Sequence, residues 1–318
     1  MDTSTVSVVI PAYNAGRFIR DALESVFRQT YPVSEIIVVD DGSTDNTIGK
    51  IKSFSGKVVC ISQSNAGPGA ARNRGVSTAT GEWIAFLDSD DCWEPEHLET
   101  LMKAAKRVSD AAMVYCGKKW VDSLGQPMDD IPLQKTFPSG WIFNDLFFAN
   151  YVSSSSVVML RKETFLDVGG FDERFKYIAE DYDLWIRIAA VAPVIGVPVY
   201  TVRYRRHDNN LTHQTVKQIL SVHEILKKAI CMIENNSVDP RNNLELLDIR
   251  GRMRSFYNEA AVGLFNSSSY DKVLLMGLGA LRQGIMTKEI LVRCLLCLLP
   301  SNVTTTLRNL RRVLIKGS

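Results

Sequence analysis

The sequence predicts an α/β fold, a mostly parallel sheet covered on both faces, followed by a helical C-terminal extension. Three observations predict it. Short β-branched runs recur through the first third of the 318 residues, and segments of helical spacing separate them. Near-continuous apolar strands alternating with helices mark a sheet buried on both sides. After about Thr212 the alternation stops and helical spacing alone remains.

Taken in order, Val6 to Ile10 is a strand ended by Pro11, and Phe18, Ala22, Ser25 and Val26 then share one helix face. Glu35 to Asp40 is the second strand. Asp41-Gly42-Ser43-Thr44-Asp45 follows, with Ser43 or Thr44 as the cap of a helix reaching about Phe54. Val58 to Ser62 is a strand, Gly67 to Thr78 a helix and Trp83 to Leu87 a fourth strand. Val121 to Gly140, with its prolines and polar residues, reads as a long surface loop of the kind that walls an acceptor site. Ser156 to Leu160 resumes a strand, and Lys162 to Val168 is a short helix ending at Gly169-Gly170. Asp181 to Val191 is a helix with Leu184, Trp185, Ile188 and Ala189 on its core side. Val216 to Glu234, Asn242 to Phe265, Tyr270 to Arg282 and Lys288 to Leu299 make the extension. This divides the chain into residues 1–211 and 212–318.

Composition narrows the function. Hydrophobic residues are 46% and charged residues 23%, as in ordinary globular chains, and 37 Lys and Arg against 35 Asp and Glu argue against a nucleic-acid partner held by bulk charge. No stretch reaches the roughly 18–20 apolar residues of a membrane span. The start, Met1-Asp2-Thr3, lacks the basic segment and apolar core of a signal peptide, so a cytoplasmic location is expected. The six cysteines are scattered, and Cys294-x-x-Cys297 reads as two small apolar residues on a helix face rather than a metal or redox site. Residues 282–318 hold seven Lys or Arg and the single acid Glu289. A tail so basic and leucine-rich, with Val313-Leu314-Ile315, suits either an anionic membrane surface or packing on its own domain.

The chemistry is in carboxylates at strand ends. In an open parallel sheet, ligands bind beyond the carboxyl ends of the strands, so Pro11-Ala12-Tyr13-Asn14, Asp40-Asp41 and Asp88-Ser89-Asp90-Asp91 should share one rim. Residues two apart on an extended segment point the same way, so Asp88 and Asp90 can reach one hard cation, Mg²⁺ or Mn²⁺, or a ribose and that cation together. A turn that caps the next helix would use the same residues. An ionised Asp of the Asp40-Asp41 pair can accept a pyrimidine imide N–H, with Tyr13 offering a ring for base stacking. In Asn65 to Gly75 small residues let a helix approach closely, and Arg72 can answer nucleotide charge. Glu180-Asp181 opens a helix, where the dipole favours a carboxylate that stays ionised, as a general base must be.

These motifs, in order, resemble the family 2 glycosyltransferases: Val6 to Asn14, Ile37 to Asp45, Gly67 to Asn73, Phe86 to Asp91, Gly169-Gly170-Phe171-Asp172-Glu173 and Glu180-Asp181. The likeness covers about residues 5–205. It implies a GT-A fold, with a Rossmann-like nucleotide-sugar half (about 1–115) on a mixed central sheet and an acceptor half (116–211). It also implies inverting transfer from a nucleotide-diphosphate sugar, most simply UDP-linked, to a saccharide or lipid-linked hydroxyl of a surface polysaccharide. Carried over by position, Pro11, Tyr13, Asp41 and Arg72 would hold the nucleoside. Asp88 and Ser89 would reach ribose or sugar, Asp90 the metal, and Asp181 would be the base. His207 falls where relatives place a residue closing over the diphosphate, and it joins Asp90 as a metal candidate. A sugar-phosphate nucleotidyltransferase would need a Gly-rich basic loop where Pro11 to Arg17 stands, and a non-catalytic nucleotide-sugar-binding scaffold would not need Asp88, Asp90 and Asp181 intact.

Overall fold

The computed structural model describes residues 4–54, 56–176, 178–207, 215–244, 248–267 and 269–298. The chain divides into two compact units, Met1–Leu211 with Cys231–Leu244, and Thr212–Ile230 with Glu245–Ser318.

The first unit is built on one mixed sheet of eight strands. They are β1 (Val6–Ala12), β2 (Glu35–Asp40), β3 (Val59–Ser62), β4 (Trp83–Phe86), β5 (Cys92–Trp93), β6 (Met113–Val121), β7 (Val158–Arg161) and β8 (Val194–Arg205), in the spatial order β3-β2-β1-β4-β7-β6-β8-β5. The helices are α1 (Ile19–Phe27), α2 (Thr47–Lys52), α3 (Pro68–Thr78), α4 (His97–Ala105), α5 (Phe143–Phe148), α6 (Lys162–Asp167) and α7 (Glu180–Val191). β1 pairs in parallel with β2 and β4, and β2 with β3, so the carboxyl ends of these strands form one rim. Antiparallel β7 then joins β4 to β6. Val8, Val9, Ile10, Val38, Val39, Ile84 and Phe86 are fully buried, as the apolar runs require.

Several expectations need correction. β1 does not end at Pro11. Its pairing with β4 stops at Val9 opposite Phe86, and Leu87 N–H donates to Val9 O, so an N–H at Pro11 would point past the end of β4 and its loss costs no ladder bond. β3 is an edge strand with exposed side chains, not a covered one. Neither Ser43 nor Thr44 caps α2. Asp45 Oδ1 accepts from Thr47 N–H at 2.9 Å, while Ser43 Oγ and Thr44 N–H are taken by Asn14. Sequence periodicity also misses β6 and β8, the two longest strands.

The stretch expected to open a helix at Asn242 instead belongs to the first unit. Asn242 Oδ1 accepts from Phe143 N–H and its amide donates to Ala189 O, tying it to α5 and α7.

In the second unit α9 (Ile249–Asn266) begins at Asp248, whose carboxylate accepts from Gly251 N–H at 2.7 Å. α8 (Thr215–Glu234) precedes it, and α10 (Tyr270–Arg282) and α11 (Lys288–Cys297) follow. Met253, Phe256, Tyr257, Leu264, Val273, Met276 and Ile290 make this unit's core. All six cysteines are free thiols. Among the described residues no helix is long and apolar enough to cross a membrane. Val313-Leu314-Ile315 and the rest of the basic tail after residue 298 lie outside the described residues.

Candidate active site

The rim of β1, β2 and β4 collects the predicted motifs. Pro11 is buried in β1, and Tyr13, just beyond it, is 52% exposed, free to present its ring. Asp41 is 3% exposed. Its Oδ1 accepts from Gln63 Nε2 and Ala66 N–H at 2.8 and 2.9 Å, and its Oδ2 from Gly67 N–H at 2.8 Å. These three donors leave Asp41 one acceptor position, on Oδ2, and fix the loop that enters α3.

Gly67 sits at the start of that helix with φ +99, and a Cβ there would lie 2.3 Å from the Lys176 carbonyl oxygen. Both features exclude a side chain. Gly67→Ala should therefore destabilise the fold by at least about 1–3 kcal/mol, read as a lowered thermal midpoint. An unchanged midpoint would show that Lys176 and its loop move away freely. Gly75 lets α3 lie against Val9 and Val39 in the same way.

Arg72 differs from its expected role. It is 4% exposed, with Nη1 donating to Glu180 Oε1 at 2.9 Å and Nη2 to Asp88 Oδ1 at 2.6 Å. The guanidinium also lies over the Phe171 ring, 5.2 Å from its centroid. Its charge is engaged by two carboxylates rather than open to a nucleotide, and those carboxylates hold its proton more firmly than usual despite burial. Next to it, Asn73 exchanges two hydrogen bonds with the backbone of Phe171, at 2.8 and 2.9 Å. The α3 motif and the Gly-Gly-Phe motif are thus one contact, separated by about a hundred residues of chain.

The Asp88 to Asp91 segment leaves β4 and divides its work. Asp88 N–H donates to Ser156 Oγ, which in turn donates to Asp91 Oδ2 at 2.6 Å. Asp91 Oδ1 accepts from Arg205 N–H at 2.9 Å. Burial, with Asp90 and Asp88 adding negative charge, pushes the Asp91 carboxyl well up. Ser89 is half-exposed beside it. Asp90 Oδ2 stands 2.9 Å from His207 Nε2, and the His207 ring stacks on Phe18 at 5.0 Å. His207 is therefore held in the site rather than set on a surface loop.

Among the described residues no group of three or more His, Cys, Asp or Glu stands ready to hold an ion. The Asp90–His207 pair nevertheless suits Mg²⁺ or Mn²⁺, because such ions take few protein donors and complete their shells with phosphate oxygens and water. The local field agrees. Burial first, and then the nearby carboxyls of Asp91, Asp88, Asp90 and Asp181, raise the Tyr204 phenol, so this strand end is rich in acidic groups.

Asp181 is the second residue of α7, which begins after Ala179, whose φ of 66 is left-handed. A non-glycine residue there stores about 1–3 kcal/mol of strain, a cost found mostly at functional sites. Burial first, then Glu180, pushes the Asp181 carboxyl up to about 7, Asp88 adding to the shift and Arg72 opposing it. Lys118, which sequence reasoning missed, feels Asp91, Asp181 and Asp88, yet burial lowers its ammonium. It donates to Ser153 O at 2.9 Å and lies 3.6 Å over the Tyr204 ring. Nothing in the pattern of β6 marks it, because its meaning depends on strands distant in sequence. Sequence reasoning gives no site role to Ser156 and Arg205 for the same reason, and names Asp91 in the strand-end motif without seeing these partners.

Residues 7–152 match the family described as Glycosyl transferase family 2. An uncharacterized glycosyltransferase of Rickettsia typhi is 28% identical over 84% of this chain and 81% of its own length. The uncharacterized glycosyltransferase YibD of Escherichia coli K12 is 39% identical over 43% of this chain and 41% of its own. Staphylococcus aureus TarS 1–349, solved with UDP-GlcNAc, superposes with a TM-score of 0.58 at 17% identity, covering 92% of this chain and 90% of that one. At that identity the likeness speaks for the fold, a GT-A-type mixed sheet with further helices. With the motifs in order on that sheet, residues 7–152 are a glycosyl transferase family 2 domain.

Proposed function

We propose that this glycosyltransferase moves a sugar with inversion from a UDP-sugar to a hydroxyl of a saccharide or lipid-linked acceptor, in the building of a surface polysaccharide on the cytoplasmic side. The observation that carries it is the meeting of Asp181 with the Asp88–Asp90 strand end through Arg72 and Glu180. TarS, with UDP-GlcNAc in its site, supports the donor class by likeness of fold.

Asp181 accepts the proton of the acceptor hydroxyl as its oxygen bonds to the sugar C1. The bond from C1 to the diphosphate oxygen breaks on the opposite face, and the electron pair leaves with the UDP. One base on the attacking side and no covalent intermediate give inversion, by the same geometry that separates single from double displacement in glycosidases. Tyr13 would stack on the base. Asp41 would meet the uracil through its remaining acceptor position, beside Pro11, and Asp88 and Ser89 would meet ribose or sugar. Arg72 serves by orienting Asp88 and Glu180. Asp90 and His207 would hold Mn²⁺ or Mg²⁺, which when bound offsets charge on the leaving diphosphate.

Purified protein with Mn²⁺ should release UDP from one of a panel of UDP-sugars once an acceptor is present. Pyrophosphate release from a nucleoside triphosphate, or nucleotide binding without turnover on broad acceptors, would overturn the reading. Asp90→Ala and His207→Ala should each raise the Mn²⁺ midpoint for UDP binding by roughly the 10–100-fold typical of altered metal sites. Titrations that overlay the wild type would remove the pair from the site.

A further inference from the structure

The second unit carries an exposed apolar face of its own. α10 leaves Leu275, Leu278 and Leu281 exposed, and α11 with its last turn leaves Leu291, Val292, Leu295 and Leu298 exposed, from 45% at Val292 to 69% at Leu298. Each helix buries its other side, through Val273, Met276 and Ala280 on α10 and Ile290 on α11. The two helices meet where Gly277 faces Cys294, so close that a Cβ on Gly277 would lie 2.2 Å from the Cys294 sulfur. Cys294 Sγ also donates to Val273 O, and Ile290 lies near Gly277, so the helices run antiparallel and the two exposed rows fall on one side of the pair. Single exposed leucines are ordinary, but seven large aliphatic side chains on one face of two neighbouring helices are not.

Charge selects the occupant. From Arg282 onward the sequence holds Arg282, Lys288, Arg293, Arg308, Arg311, Arg312 and Lys316 against Glu289 alone. The one acid at the other end of α10, Asp271, lies 3.5 Å from Lys272. A second copy of this face would bring like charges together. An anionic bilayer offers acyl chains to the leucines and phosphate headgroups to the cations, the pairing that seats an amphipathic surface in the interface. We propose that the α10–α11 face is a membrane-docking surface for anionic lipid, with Arg282, Lys288 and Arg293 supplying the charge. The inference stands apart from the transfer chemistry and would hold with any donor.

The test is flotation of the full chain with phosphatidylglycerol-containing vesicles and with neutral phosphatidylcholine vesicles, at low and high salt. The wild type should float with the anionic vesicles at low salt. Leu278→Asp with Leu295→Asp, both on exposed positions, should keep the wild-type thermal midpoint and bind about a hundredfold more weakly, since two leucines no longer leave water. Replacing Arg282, Lys288 and Arg293 by Gln should weaken binding at low salt and make little difference at high salt. The proposal is overturned if the wild type does not float, if it binds neutral vesicles equally, or if the double Asp variant floats like the wild type. Sedimentation showing a dimer that the double Asp variant dissociates, without flotation, would assign the face to self-association instead.

Discussion

Asp181→Asn should lower the turnover number by about 10²–10⁴-fold, the usual contribution of a positioned base, while UDP-sugar affinity changes little. The amide is nearly the same shape, keeps the start of α7 and cannot take the acceptor's proton. The pH profile gives the second half of this prediction. The carboxyl is pushed up to about 7, so below that pH the base is protonated and idle. The rate should fall about tenfold per pH unit on the acid side and level off above neutrality. Glu180 contributes to that upward shift, so Glu180→Gln should move the acid limb to lower pH. A variant at Asp181 with wild-type turnover would remove Asp181 as the base, and an acid limb near 4 would show that its carboxyl is not raised.

Arg72→Met should be the most destabilising single change in the first unit. The substitution leaves Glu180 and Asp88 facing each other without their shared cation, and breaking a buried pair from one side costs about 3–5 kcal/mol. Asp88 keeps 25% of its side chain exposed, which favours the lower end of that range. For a unit of this size the thermal midpoint should drop by roughly 10 °C. Arg72 also opposes the rise in the Asp181 pKa, so whatever activity survives should show its acid limb above neutrality. Arg72→Lys should recover part of the stability, because one ammonium cannot reach both carboxylates with the fixed fork of a guanidinium. An unchanged midpoint in Arg72→Met would mean that the two acids find other partners.

How much of this is legible in the sequence depends on the range of the interaction. β1, β2 and β4 are readable because their apolar runs are continuous, and the rim follows from parallel pairing. The motif around Arg72 is readable as a motif, but its partners are not. Glu180 lies on a helix more than a hundred residues away, so a nucleotide-facing cation and a buried organiser look alike in sequence. β8 is lost because its side chains alternate weakly and include Pro198, while β6 carries Lys118 and Lys119 in its second half, which suggest a solvent loop. The α2 cap is misread because Asn14, on another strand end, competes for Ser43 and Thr44.

The stretch after β6 has its own anchoring. Asp122 Oδ1 closes a turn onto Leu124 and Gln126 N–H at 2.8 and 2.9 Å. Further on, Tyr115 holds Pro138 O, and Gly140 exchanges two backbone bonds with Val194, at 2.7 and 2.9 Å. Both ends are therefore set by the sheet, Pro127 bridging to Val121 and Met128 N–H donating to Trp120 O, and residues 129–133 between them carry no part of its register. Doubling a loop's length costs only about 0.6 kcal/mol in closure entropy. Changes of length and sequence in this segment would therefore cost the fold little and leave the rim of carboxylates where it is.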